Sequence, residues 1–106
     1  MEEWNEENFD ALVGKGDALV FFTAVWCPHC RAMHPAMEET RERHGDVRFA
    51  KVDIDRSPAL AARFRVRSIP QILFFKDGKM TDRLVGFRNA RQVGAFVEEQ
   101  RETVKL

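Results

Sequence analysis

The chain has 106 residues, enough for one domain, and 44% of them are hydrophobic, sufficient for a core at this size. Seventeen Lys and Arg balance seventeen Asp and Glu. A formal net charge of zero argues against a nucleic-acid protein and against a chain held on an anionic membrane by charge. No apolar run approaches the roughly 18 residues of a membrane span, and two cysteines are too few for a secreted disulfide scaffold.

The start, MEEWNEENFD, is acidic and no apolar signal region follows it. With Met1 as the natural start, the protein is expected in the cytoplasm. Asn5 reads as the N-cap of a first helix whose apolar face is Phe9, Leu12 and Val13, ended by residues 14–17, GKGD. Residues 18–25, ALVFFTAV, form a continuous apolar run that predicts a strand buried on both faces. A helix follows from about Cys27 to His44, closed by Gly45, and Pro35 inside it predicts a kink. Residues 47–55, VRFAKVDID, read as a second strand. Ser57 and Pro58 are an N-cap and first-turn pair that opens a third helix to about Phe64.

Residues 71–76 and 79–86 are strands joined by Asp77-Gly78, a strong hairpin signal. Asn89 caps a last helix with Val93, Phe96 and Val97 on its inner face. Residues 1–4 are barely long enough to add an edge strand. The order predicts a single α/β domain over residues 1–106, a parallel βαβ unit followed by a hairpin. Its central mixed sheet has four strands, or five with the N-terminal one, and helices cover both faces.

Both cysteines lie in one stretch, Trp26-Cys27-Pro28-His29-Cys30, directly after the apolar strand. A disulfide closed over two residues cross-links almost nothing, so the pair is chemical rather than architectural. Cys27 falls where a strand passes into a helix, and the unpaired N–H groups and positive dipole end there stabilise a thiolate. Cys30 lies one turn deeper, close enough to form a disulfide with Cys27. Pro28 suits the first helical turn. His29 adds a partial positive charge and a donor, and so tunes the potential. A stabilised reduced form makes the disulfide more oxidising. At a strand-to-helix junction of a βαβ unit, Cys-x-x-Cys is a strong redox signal. The competing readings are two buried small residues and a metal clamp.

These residues resemble the thioredoxin family. Trp26 to Cys30 stand at the family's Trp-Cys-x-x-Cys position and Pro35 matches the proline of its active-site helix. Lys51-Val52-Asp53 matches its second strand, and Ile69-Pro70 its cis-proline loop. Gly78 and Gly86 match glycines of the terminal hairpin. The likeness runs from about Asn8 to Val97 and implies the thioredoxin fold. It also implies a thiol–disulfide oxidoreductase that passes two electrons to or from protein disulfides. Cys27 would be the attacking thiolate and Cys30 the resolving thiol, with no bound cofactor beyond the redox-active Cys27–Cys30 disulfide. The expected partners are a flavin-dependent thioredoxin reductase, which supplies electrons from NAD(P)H, and client proteins with disulfides. Nothing demands more than a monomer. Trp26, Ile69, Pro70 and Gly86 are the implied substrate-facing set, with Trp26 as an apolar rim and Ile69 offering backbone groups to a substrate strand. Lys51 is expected near the site.

Departures from the family pattern carry information too. Pro28-His29 replaces the usual Gly-Pro and is typical of strongly oxidising periplasmic oxidases, so a potential above that of ordinary thioredoxin is expected. The sequence is similar to small atypical thioredoxins of sulfate-reducing anaerobes. The family's buried aspartate is Phe21 here, and its second tryptophan is Thr23. Another group must then take the proton from Cys30, and His34, four residues on and on the same helix face, is the candidate. The alternatives are a disulfide oxidase or isomerase of an oxidising compartment, and a redox-inert adaptor. A metal carrier using Cys27, Cys30 and His34 is a further one. No clear glutathione-binding pattern follows Pro70. The three arginines in RFRVRS, residues 63–68, form a positive patch able to attract acidic partners.

Overall fold

The apolar run after Gly16 sets the layout of the computed structural model, which describes residues 1–102. It forms β2 (Asp17–Thr23), the middle strand of a five-stranded sheet. The other elements are β1 (Glu2–Glu3), α1 (Phe9–Val13), α2 (Pro28–Arg43), β3 (Arg48–Asp53), α3 (Pro58–Arg63), β4 (Gln71–Lys76), β5 (Lys79–Val85) and α4 (Ala90–Arg101). The sheet order is β1-β3-β2-β4-β5. Strand β3 runs parallel to both β1 and β2, whereas β4 is antiparallel to β2 and β5 to β4. The mixed sheet with an N-terminal fifth strand is the one the sequence predicts.

Alternation along β2 builds two cores, because successive side chains point to opposite faces. Leu19 and Phe21 enter one apolar cluster with Ile72 and Phe74 of β4, closed over by Met33 and Met37 of α2 and Val93 and Val97 of α4. Ala18, Val20 and Phe22 enter the other with Leu73 and Phe75, closed over by Phe9 and Val13 of α1 and Leu60 of α3. Both faces of β2 are therefore dry, which is why its sequence is continuously apolar rather than alternating.

Several boundaries differ from expectation, each for a local reason. The strand stops at Thr23; Ala24 is buried but Val25 is exposed, so the apolar run continues past the sheet into the surface loop. Asn5 caps a turn ahead of α1, not the helix itself. Its Oδ1 accepts the N–H groups of Glu7 (2.9 Å) and Asn8 (3.0 Å), and Asn8 Oδ1 accepts that of Asn5 (2.8 Å). Ser57 makes no side-chain cap on α3. Glu6 does so from across the fold, its carboxylate accepting the Ala59 N–H at 2.6 Å. Helix α2 continues past Pro35 to Arg43, and His44 rather than Gly45 caps it. His44 is buried between Thr40 O (2.9 Å) and Glu98 Oε1 (2.8 Å), tying α2 to α4.

The hairpin turn has φ of 48° at Asp77 and 85° at Gly78, the paired left-handed conformation that an Asp-Gly dipeptide supplies. A bulge at Phe74/Phe75 shifts the register of β5. At the other end of the chain, α4 opens on a complete capping box. Asn89 Oδ1 accepts the Gln92 N–H at 2.9 Å, and Gln92 Oε1 accepts the Asn89 N–H at 3.0 Å. Asn89→Ala is expected to cost about 1 kcal/mol, read as a lowered urea midpoint with unchanged slope.

Two-residue β1 holds its place through Trp4, which is fully buried. Trp4 N–H bonds Lys51 O at 2.8 Å and its indole N–H donates to Glu2 Oε1 at 2.9 Å. The Arg48 guanidinium lies over the ring, 5.3 Å from the centroid. The indole hydrogen bond, with the Arg48 charge behind it, holds the Glu2 carboxyl below its ordinary value of 4.5. Glu38 is lowered in the same direction, chiefly by a hydrogen bond from the Met1 amino group. A carboxylate depressed in the folded state stabilises the fold above its unfolded pKa and loses that contribution as pH falls through the folded one. Stability is therefore expected to decline below about pH 4.5, and Glu2→Gln to flatten the decline, in urea titrations between about pH 5 and pH 3.

Candidate active site

The strand pairings bring four loops to one end of the sheet. Thr23 of β2 stands opposite Asp53 of β3, Phe22 opposite Gln71 of β4, and Gln71 opposite Val85 of β5. The segments leaving β2, leaving β3, entering β4 and leaving β5 therefore meet there. Every predicted site residue except His34 lies on one of these loops or in the first turn of α2.

Cys27 is the N-cap of α2, with extended backbone (φ −90°, ψ 109°), and Pro28 takes the first helical position. The Sγ of Cys27 accepts the backbone N–H of Cys30 at 3.2 Å, and the two cysteines form a disulfide with their Cα atoms 5.3 Å apart. The sequence predicts a sulfur at the positive end of a helix, and the geometry places one there, held by a helical N–H. Cys27 is 4% exposed and Cys30 fully buried.

The Ile69–Pro70 peptide is cis. Pro70 is buried, and its carbonyl accepts the Gly86 N–H at 2.8 Å, which pins the loop entering β4 to the loop leaving β5. Gly86 has φ 96°, a conformation that favours glycine. Ile69 packs against the cluster that contains both cysteines. Trp26 is 62% exposed, and its indole N–H donates to Asp55 Oδ2 at 2.7 Å, so the rim ring is tethered to the loop leaving β3.

His29 is exposed, and its side chain makes no hydrogen bond to another described residue. His34 is half-buried and shares a cleft of about 480 Å³ with Cys30, Arg31, Lys51 and Asp53. Lys51 thus lies beside the site as expected. Phe21, in place of an acid, is buried in the same apolar cluster as Cys30. Among the described residues no group of three His, Cys, Asp or Glu is placed to hold a metal ion, so Cys27, Cys30 and His34 do not gather as ligands.

Sequence reasoning missed four site features. Asp55 anchors Trp26, and Asp53 is buried with Oδ1 accepting the N–H groups of Asp55 (2.8 Å) and Arg56 (3.3 Å). The pattern Asp-x-Asp at the end of a strand is a turn signal that suggests such bonds. Val25 and Phe87 are exposed apolar residues beside the disulfide and the Gly86 loop. Val25 was hidden in the strand run, and Phe87 stood next to a predicted strand end.

The thioredoxin family model matches residues 1–99. A thioredoxin of Staphylococcus saprophyticus is 37% identical over 95 residues, covering 89% of this chain and 91% of that one. Among solved structures, a thioredoxin of Halobacterium salinarum superposes with a TM-score of 0.89 at 27% identity, over 98% of this chain and 93% of the other. The oxidised mitochondrial thioredoxin 3 of Saccharomyces cerevisiae gives 0.86 at 27% identity, over 93% and 94%. Proteins of this family typically carry a redox-active disulfide in place of a bound cofactor and work with a thioredoxin reductase and disulfide clients. No helix among the described residues is long and apolar enough to cross a membrane. With its sheet order, its Cys27–Cys30 disulfide and these matches, the chain belongs to the thioredoxin family and is a protein thiol–disulfide oxidoreductase.

Proposed function

We propose that Cys27 is the nucleophile and Cys30 the resolving thiol of a disulfide reductase. The Cys27 thiolate attacks one sulfur of a client disulfide, forming a mixed disulfide and releasing one client thiolate, which takes up a proton. Cys30, once deprotonated, attacks the Cys27 sulfur, reforms the Cys27–Cys30 bond and releases the second client thiol. Two electrons pass to the client. The observation that carries the assignment is the Cys30 N–H directed at Cys27 Sγ, with Cys30 buried behind it. The same N–H is placed to hold the Cys27 thiolate in the reduced protein.

Trp26, Ile69, Pro70 and Gly86 form the groove that receives the client, with Trp26 as its rim and the Ile69 backbone facing the client strand. His34 accepts the Cys30 proton across the shared cleft. If His34→Gln leaves the pH dependence of client release unchanged, that role is wrong. His29 acts through its charge alone and raises the potential. A thioredoxin reductase returns the electrons, in the cytoplasm, where such a supply exists.

Insulin reduction by the dithiothreitol-regenerated protein tests the activity. No acceleration over dithiothreitol alone would sink it. The reduction potential, followed by tryptophan fluorescence in a thiol buffer, tests the tuning. Ordinary thioredoxin lies near about −270 mV and the strongest oxidases near about −120 mV. A value of about −200 mV or above is expected, falling towards the lower figure in His29→Pro. A value near −270 mV in the unaltered protein would overturn the role given to His29.

A further inference from the structure

Charge is unevenly spread over the disulfide end of the molecule. Of the acids that reach this side, Glu3 is paired with Arg56 at 3.3 Å and Asp53 is buried under two backbone N–H groups, while Asp55 accepts the Trp26 indole N–H and keeps its charge on the loop leaving β3. The arginines flanking the proposed groove on the β4 and β5 side meet no carboxylate among the described residues. Arg67 lies two residues before Ile69, exposed and with no carboxylate partner among the described residues. Arg88 lies two residues after Gly86. Its Nη1 donates to Phe87 O at 3.0 Å and rests 3.5 Å from where a Cβ on Gly86 would stand. The guanidinium therefore lies against Gly86, whose N–H bonds Pro70 O. It too has no carboxylate partner among the described residues, and most of its donors are unmet. On the α2 side Arg31 is likewise unpaired. On the same loops Val25, Trp26 and Phe87 are exposed by 74%, 62% and 47%.

An apolar floor with an unpaired cationic rim, in a chain of zero formal charge, fits one kind of occupant. We propose that the groove selects client disulfides flanked by apolar and acidic residues, and that Arg88 and Arg67 set this preference. The proposal rests on the reductase reading above and names its client class. The electron transfer is the one already written; Arg88 and Arg67 are specificity residues that meet a client carboxylate and do not touch the reacting sulfurs. An arginine already lying on the groove gives bidentate geometry to a carboxylate at little ordering cost.

The test uses the full chain, reduced with dithiothreitol and desalted. Three cyclic peptides share one disulfide and an apolar neighbour, and carry Glu, Gln or Lys beside the cysteine. Their rates with dithiothreitol alone are used to normalise intrinsic reactivity. At low ionic strength the Glu peptide is expected to react about tenfold faster than the Lys peptide, with Gln between. The ratio should fall to about twofold or less at high salt, where the Debye length shrinks to about 3 Å. The double variant Arg67→Gln/Arg88→Gln should bring it close to one. Lys79→Gln, at the opposite end of β5, should leave it as in the unaltered protein. Equal normalised rates at low salt, or a ratio untouched by the double variant, overturns the proposal. Oxidised 2-mercaptoethanol, small and neutral, separates the two readings. Failure to accelerate its reduction by excess dithiothreitol, which drives the exchange whatever the potential of the Cys27–Cys30 pair, sinks the reductase assignment itself, whereas accelerating it with no peptide preference sinks only the client class.

Discussion

Cys27→Ser is expected to reduce insulin no faster than dithiothreitol alone, a loss on the order of 10³-fold or more. Cys30→Ser should lose turnover as fully but for a different reason. It keeps the reacting sulfur at the helix terminus and loses the one that releases the client. A covalent adduct with the client should therefore accumulate in Cys30→Ser and be absent in Cys27→Ser, read by mass spectrometry without reductant. The asymmetry follows from position. Cys27 caps α2 and faces the loop end of the sheet, while Cys30, one turn in, is fully buried against Ala24 and Met33. Should the adduct form in Cys27→Ser instead, the two roles are exchanged. Should Cys30→Ser turn over normally, the resolving step belongs elsewhere.

The second large effect is on folding. Phe21→Asp places at this position the acid that the family pattern carries there, and it should destabilise the protein by about 4–5 kcal/mol. That is close to the whole stability of a domain of this size, about 5–15 kcal/mol. Phe21 is 1% exposed and shares its cluster with Leu19, Ile72, Phe74 and Val93. An aspartate there would leave a cavity and a carboxylate with no donor. Phe21→Leu stays apolar and should cost only about 1.5 kcal/mol. Urea denaturation of the three proteins gives the comparison. A Phe21→Asp protein as stable as Phe21→Leu would mean that a donor or water reaches this position.

Much of this was legible in the chain because the strong signals were local. The continuous run at 18–25 gave the central strand, Asp77-Gly78 the hairpin, and Asn89 the cap of the last helix. Cys27 at a strand-to-helix junction gave the site. What escaped depended on residues far apart in sequence. Glu6 caps α3 and Trp4 locks β1 through Arg48 and Lys51, bonds that exist only once the sheet has formed. The bulge at Phe74/Phe75 leaves no mark in the hydrophobic pattern, since both residues are buried whichever way the register shifts. Val25 misled because an exposed rim residue and a buried strand residue look alike in composition.

The bulge in β5 matters beyond the hairpin. A sheet with two free margins invites pairing with any extended chain. On one margin the outermost strand is two residues long, with Trp4 docked behind it. On the other, the bulge interrupts the ladder and Lys79, Asp82 and Arg83 set charges along the strand. Both margins are poor templates for strand addition. Aggregation along the sheet is thereby disfavoured.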